Sequence, residues 1–356
     1  MKKKLSYLLI SILLLFMISC DLGGKSENIN IFEIQNATKV TEEYMENIAL
    51  GNLDDANKLV SSNVKDEEEF NKLEKNKINA YKIDEVEEGS SYAYINYKIT
   101  RRKEDEVRAD LDTLSLKVIK NDDNYIIDEV KAKSEKQVYG DRTFLRVRDS
   151  NSGRSEVLVR IKDLPKQIYP KKENIVLGKE NVPSKEFTNV AMSFEGNKVG
   201  IITNDGEKSF VGIAMVEESK PTAGEASGDN EGASEEDIDK AIDDALEKPI
   251  VDKLVGYDIL DVANVEKVIF SADDNELIIQ FKEGDKGSSL KIYQNPTGEL
   301  VKLQLESLFP NDKYSIDIQR VNKDGVFINV SPISEENKLS GEYKIDLKSM
   351  KINKEK

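Results

Sequence analysis

From Val190 onward the chain uses one pattern three times. The segments are "VAMSFEGNKVGIITNDGEKSFVGIAMV" from Val190, "KVIFSADDNELIIQFKEGDKGSSLKIY" from Lys267 and "SIDIQRVNKDGVFINVSPISEENKLSGEYKIDL" from Ser315. Each runs as an apolar strand, a tight Asp/Asn/Gly turn, a second apolar strand, a polar loop and a third strand. Ser193 and Ser271 are 78 residues apart, but that interval contains a 32-residue acidic stretch, 217–248. Without it the interval is 46, close to the 50 residues between Ser271 and Val321.

A period of this length falls in the range of propeller blades. Within it, "SFEGNKVGI" (193–201) and "SADDNELII" (271–279) resemble the S-x-D-G-x-x-[IL]-x-[FY] turn of TolB-like propellers. Such a turn needs positive φ where Gly stands, and it sends its flanking apolar residues into the blade. Glu195 stands for the Asp, Asp274 for the Gly, and the third copy keeps only "NKDGVFI". Strands near Phe144–Val147 and Val157–Ile161 are candidates for a fourth copy. "LPKQIYPKKENIVLGKENVPSKEF" then serves as a Pro-punctuated connector. Three clear copies are too few for the usual six or seven. The expectation for 141–356 is a mainly antiparallel, propeller-like β domain, and unrelated antiparallel hairpins would give the same pattern.

Residues 34–137 read as α+β. Val40, Tyr44 and Ile48 lie four apart on one helical face. Gly51 suits a left-handed helix end, Asn52 a cap, and Leu53, Ala56, Leu59 and Val60 a second buried stripe. A polar helical stretch with Phe70 and Leu73 follows. The period then becomes two: "NAYKIDEVEE" reads as a first strand. In "YAYINYKI", Ala93, Ile95, Tyr97 and Ile99 alternate with Tyr92, Tyr94, Asn96 and Lys98. Leu114, Leu116 and Val118 alternate likewise, and "KNDDNYIIDEV" turns into a last strand. On "YMENIALGNLDDANKLV" and "NDDNYIIDEV" the segment resembles the cone-shaped family typified by nuclear transport factor 2. That resemblance implies a cone that encloses a pocket, for which Tyr92, Tyr94 and Tyr97 are the candidate lining; ordinary sheet packing is the alternative.

The N-terminus sets location. Lys2, Lys3 and Lys4 precede fourteen uncharged residues, Leu5–Ile18, too short for the roughly 20 residues of a comfortable membrane span. A basic start and a run of this length have the build of a secretory signal. Met17-Ile18-Ser19-Cys20 then resembles the lipobox of bacterial lipoproteins, with Met17 in place of the usual Leu. The resemblance implies removal of 1–19 and a diacylglycerol thioether on Cys20, with acyl chains holding the protein on the extracytoplasmic face of a cell membrane. Residues 20–33 would be the lipidated Cys and tether. An ordinary cleaved signal with an incidental Cys and a permanent span are the alternatives.

Composition narrows the chemistry. The net charge is −16, and −19 without residues 1–19. With no basic patch assigned from the sequence, nucleic acid is not an expected partner, since its binding rests on phosphate neutralisation. There is no histidine, which removes Ser-His-Asp and Cys-His catalysis and Cys/His zinc sites. Stretch 217–248 holds twelve acids and three bases, and "SEEDIDKAIDDALEK" places Ile238, Ile242 and Leu246 at helical spacing after Ser234 and Asp237. "SGDNEGASEEDI" has Gly at the sixth place of a calcium-loop pattern, but Ser227 and Ile238 stand where ligands are required. No metal site, catalytic residue or cofactor beyond the lipid on Cys20 is therefore assigned. The expected role is a non-catalytic, membrane-anchored binding or scaffolding module for a protein or cell-wall polymer. A small-molecule receptor using the cone is the first alternative, and a hydrolase with paired carboxylates the second. Cells fed labelled palmitate are expected to label this chain, and Cys20→Ala is expected to abolish the label; an unlabelled wild type would remove the anchor.

Overall fold

The computed structural model describes residues 32–65, 77–103, 106–122, 124–171, 178–216, 248–333 and 338–355. The expectations for 1–31, for the stretch around Phe70 and Leu73, for Asp123 and for 217–247 lie outside these residues. The described chain is mostly β, and none of its sheets closes on itself.

Helix α1 (Ile34–Leu50) buries Ala37, Thr41, Tyr44, Met45, Ile48 and Ala49. Val40 is only half-buried. The stripe is rotated from the expected one because Thr41 turns inward, where its hydroxyl meets the Tyr97 hydroxyl at 2.9 Å. Gly51 ends the helix at φ 77°. Short helices α2 (Leu53–Ala56) and α3 (Ser62–Lys65) follow. The Asn52 side chain makes no capping bond; its carbonyl instead accepts the Asp55 and Ala56 N–H groups. Val60 leaves the helix to form a parallel bridge with Ile127.

Strands β1 (Ile78–Glu88), β2 (Tyr92–Arg102), β3 (Arg108–Asn121), β4 (Asn124–Gly140), β5 (Phe144–Asp149) and β6 (Ser155–Arg160) form a continuous antiparallel meander. The alternation holds: Ala93, Ile95, Tyr97, Ile99, Leu114, Leu116 and Val118 are all buried. The seventeen-residue β4 crosses the expected boundary at 137–141 and carries β5 and β6 onto the same sheet. These two strands thus extend the first meander and build no fourth copy of the repeat.

The repeats form three further meanders. β9 (Glu186–Met192), β10 (Lys198–Asn204), β11 (Ser209–Val216) and β12 (Val251–Leu260) make a four-stranded sheet. β13 (Asn264–Phe270), β14 (Glu276–Lys282) and β15 (Ser288–Gln294) make a three-stranded one. Among its described residues, the connector before them holds the two-residue strands β7 (Gln167–Ile168) and β8 (Glu180–Asn181), paired with each other. β16 (Tyr314–Asn322), β17 (Gly325–Pro332), β18 (Gly341–Asp346) and β19 (Lys351–Lys354) follow the short helix α4 (Leu305–Leu308). This last meander joins the first, because β16 lies parallel to β1 with Val321 opposite Ala80. One sheet of ten strands results, ordered β19-β18-β17-β16-β1-β2-β3-β4-β5-β6.

The four-stranded sheet is covered on both faces. Ile202, Val211 and Ile213 pack with Val268, Phe270, Leu277 and Ile279 of the three-stranded sheet. Val199, Ile201, Phe210 and Ala214 share the larger core with Leu111, Val138 and Leu145. This explains why these strands read as near-continuous apolar runs instead of alternating ones. The approach is close at Gly200, where a Cβ would stand 2.9 Å from Leu277.

The turns of the first two repeats are equivalent in detail. The Ser193 hydroxyl accepts the Lys198 N–H at 3.1 Å, and the Ser271 hydroxyl accepts the Glu276 N–H at 2.9 Å. The fourth residue has positive φ in both, 69° at Gly196 and 59° at Asp274. The departure from Gly has a use: the Asp274 carboxylate is buried and accepts the Phe194 and Glu195 N–H groups at 2.8 and 2.9 Å. One repeat turn thereby clasps the other. Burial pushes the Asp274 carboxyl above the ordinary range, and the two amide donors pull against it.

Removing this carboxylate strands two amides, at about 1–3 kcal/mol for each unsatisfied buried group. Left-handed backbone costs a non-Gly residue roughly 1–2 kcal/mol, which Gly avoids. Asp274→Ala is therefore expected to have a lower urea midpoint than Asp274→Gly, and both a lower one than wild type. A Gly variant more stable than wild type by about the 1–2 kcal/mol of relieved strain would show that the clasp contributes nothing.

Candidate functional site

The three tyrosines sort onto two faces of β2, as an odd spacing requires. Tyr97 is buried under α1, in edge contact with Tyr81 at 6.2 Å, and burial pushes its phenol well above the usual range. Tyr92 and Tyr94 lie on the opposite side in edge contact at 5.6 Å. Tyr92 is 39% exposed, with Lys117 over its ring, and the Tyr94 hydroxyl donates to Glu129 at 3.4 Å. The strand brings two of the three together and separates the third.

A different set of residues converges at the end of the four-stranded sheet. Between β12, β15, the 300–311 segment and β16 lies a cleft of about 410 Å³. Its floor is apolar: Leu260, Leu290, Ile292, Leu305, Phe309 and Ile316 line it, and all are buried. Phe309 is held by edge contacts with Tyr314 and Tyr343 at 6.1 and 4.9 Å. The rim is acidic, with Asp261, Glu283 and Glu306 exposed around the opening. Asp261 pairs with Lys208 at 2.8 Å and Glu283 with Lys286 at 3.0 Å.

One cation, Lys291, lines the cleft, and its position is fixed from beneath. Its ammonium donates to Asp258, a carboxylate with no solvent exposure, at 3.3 Å. Asp258 also accepts the Tyr293 hydroxyl at 2.7 Å and the Ile259 N–H at 2.8 Å. Burial, and then the charge of Asp258, hold the Tyr293 phenol well above its ordinary range, so it stays a donor. The Tyr257 ring lies 6.0 Å from that of Tyr293 in a tilted contact, and its hydroxyl donates to Asn295 at 3.1 Å. The network ties β12 to β15 and leaves Lys291 half-buried at the cleft wall.

Sequence reading assigned no role to these residues. Two signals point to them. Asp258 is a lone charge inside the apolar run "LVGYDIL", where an unpaired carboxylate would be costly. Leu305, Leu308 and Phe309 are spaced as one helical turn before Pro310. The convergence itself depends on loops from different repeats and has no local signature. Among the described residues no group of three or more His, Cys, Asp or Glu side chains is placed to hold a metal ion. No helix among them is long and apolar enough to cross a membrane.

No family model matches the chain, and no curated protein matches it. Solved structures that share part of its arrangement include an acylaminoacyl peptidase, at 8% identity, with a TM-score of 0.31 over 77% of this chain. The chain spans 39% of that peptidase's length. TolB from Acinetobacter baumannii is similar at 8% identity and a TM-score of 0.30, over 76% of this chain and 67% of its own. The β-propeller domain of the Trilobed protease from Pyrococcus furiosus is similar at 12% identity and a TM-score of 0.24, over 77% and 84%. Likenesses this distant carry no argument about activity.

Tyr293→Phe removes a buried hydrogen bond to a carboxylate, worth about 1.5–3 kcal/mol. The variant is expected to unfold at lower urea with an unchanged slope, whereas Tyr92→Phe should stay within about 0.5 kcal/mol of wild type. Equal midpoints for all three proteins would refute the role assigned to Asp258.

Proposed function

We propose that this chain is a non-catalytic binding or scaffolding module, carried on the extracytoplasmic face of a bacterial membrane by lipid on Cys20. Its contact site is the cleft between β12, β15, α4 and β16. The observation that carries the reading is the chemistry of that cleft, an apolar floor ringed by Asp261, Glu283 and Glu306. Such a site takes an apolar anchor flanked by cations, so the partner is a protein segment with Lys or Arg beside a Leu, Ile or Phe. An anionic wall polymer would meet like charge at the same rim. Apolar burial supplies the affinity, and the rim charges choose the partner and speed encounter.

Three supports for the wider reading are independent of one another. The lipobox at Met17–Cys20 favours the anchor. The matched turns at 193–198 and 271–276 favour a propeller-like stacking of the repeats. Helix α1 against strands β1–β4 favours a cone-like first module. The role needs no cofactor and no metal.

The experiment is selection from a displayed random-peptide library against the purified chain. Enriched peptides are expected to place Lys or Arg next to a large apolar residue. The Glu283→Lys/Glu306→Lys double variant should bind them at least about tenfold more weakly, the effect of roughly 1.4 kcal/mol. Charge reversal of Glu88, exposed at the end of β1 and not among the residues lining the cleft, should change nothing. Selection without cationic enrichment, or binding indifferent to the rim charges, would overturn the reading.

A further inference from the structure

The wall of the acidic cleft has a property that its side chains do not show. β15 is the last strand of the three-stranded sheet, so its outer side has no paired strand. Successive residues of a strand turn their N–H and C=O groups to opposite sides. Lys291 and Tyr293 turn theirs toward β14, in an unbroken antiparallel register. Ser288, Ile292 and Gln294 turn theirs outward, and so does Leu290 between them. Three bonds fix this parity. The Ser288 N–H donates to the Ser315 hydroxyl at 3.1 Å. The Val301 N–H donates to the Ile292 carbonyl at 2.8 Å, and the Gln294 N–H donates to the Glu299 carbonyl at 2.8 Å.

Between these bonds the edge is open. Among the described residues nothing bonds the Ser288 carbonyl, the Leu290 N–H, the Leu290 carbonyl or the Ile292 N–H. The chain begins to cover this edge and then leaves it. Residues 299–301 run antiparallel beside β15, with Leu300 opposite Tyr293. Leu303 then donates its N–H back to the Val301 carbonyl at 3.0 Å, and the chain turns into α4. The open stretch from Ser288 to Ile292 spans about 13 Å, at roughly 3.3 Å per residue. It lies in the cleft itself, because Ser289, Leu290, Lys291 and Ile292 line it in succession. Side chains alone would line a cleft with every second residue of a strand, so the main chain faces this opening too. Backbone groups in such a place need a polar partner.

We infer that the partner's segment lies extended along β15 and adds a strand to its open edge, an inference that rests on the binding role proposed above. Its main chain bonds the four open groups, and its alternate side chains decide which sequences fit. The residue opposite Leu290 shares the Leu290 face. Leu290 and Ile292 belong to one apolar cluster with Leu305, Phe309 and Ile316, so that residue is a Leu, Ile or Phe. The acidic rim then selects Lys or Arg elsewhere in the segment. A helical segment is the wrong form, because it spends its N–H and C=O groups on itself.

The test is amide hydrogen exchange of the purified chain, read residue by residue by NMR, with acetyl-Lys-Lys-Leu-Lys-Lys-amide as probe. In the chain alone, Leu290 and Ile292 are expected to exchange at least about tenfold faster than Lys291 and Tyr293, whose amides bond into β14. The peptide, titrated to about 10 mM to exceed the Kd of even a millimolar contact, should slow Leu290 and Ile292 at least about fivefold by mass action. Lys291 and Tyr293 should not change. N-methylation scanned along the peptide should weaken binding about fivefold to tenfold at two amides two residues apart, the effect of roughly one lost hydrogen bond each. The amide between those two should tolerate the methyl group. The methyl scan leaves the protein unaltered, so no variant has to fold. Peptide that binds, and binds more weakly to the Glu283→Lys/Glu306→Lys variant, while Leu290 and Ile292 still exchange fast would overturn strand addition and leave the cleft a binding site. A methyl scan without the two-residue period would do the same. Slow exchange of Leu290 before peptide is added would overturn the inference, and slowness that disappears on dilution would assign the edge to a second copy instead. No protection at the highest peptide concentration would overturn it as well, with the display selection left to judge the binding role separately.

Discussion

The four-stranded sheet has apolar neighbours on both sides, and this double burial governs how the repeats can be joined. A sheet with no wet face cannot choose its partner's orientation by keeping polar residues outward. Orientation then falls to the few polar groups that reach from one sheet to the next. Asp274 supplies one such link, from the β13–β14 turn to the amides of the β9–β10 turn. Lys267 supplies another, bonding Asp317 at 2.5 Å and the Ile318 carbonyl at 2.8 Å across to β16. Gln280 bonds the Ile318 amide at 2.8 Å alongside it. Burial lowers the Lys267 ammonium's proton affinity, and Asp317 opposes that shift. Each link satisfies buried groups that would otherwise be costly, so displacement of a sheet breaks several bonds at once.

Local pattern and long-range assembly differ in how far they can be read from the residues. The alternation of β2 and β3, the Gly51 helix end and the three strand-turn-strand units are local, and each appears in the structure as its residues dictate. The turn equivalence of 193–198 and 271–276 extends even to the serine hydroxyl bonds. By contrast, β5 and β6 joined the first meander, because pairing with the long β4 continues a ladder already formed. Nothing within "FLRV" or "VLVRI" states which sheet edge it will meet. The parallel contact of β1 with β16 likewise depends on residues some 240 positions apart. The cleft was illegible for the same reason: its floor comes from β12, β15, α4 and β16, four elements with unremarkable sequences. What the sequence did contain was the anomaly of Asp258, a charge set among apolar neighbours.

The two concave surfaces have opposite characters. The cleft is apolar below and acidic around, and Lys291 in its wall is held by the buried Asp258 carboxylate. The hollow beside the β5–β6 hairpin, lined by Phe144, Arg146, Arg160 and Lys162, is basic and aromatic. A net charge of −16 sets up a long-range field that attracts cations, and the cleft joins acidic rim groups to an apolar floor. The binding role proposed above needs no more chemistry than this.

The pairing of β1 with β16 has a consequence for how the molecule is made. A polypeptide is synthesised from its N-terminus, so β1 emerges more than two hundred residues before the strand that covers its outer edge. Until Val321 arrives, that edge offers unpaired amides and carbonyls to any extended segment nearby. Only Ala80 and its immediate neighbours need shelter, yet they wait on a strand more than two hundred residues further along the chain. Closure of that edge is therefore a late step of assembly, since the C-terminal meander must be in place before the first meander is covered.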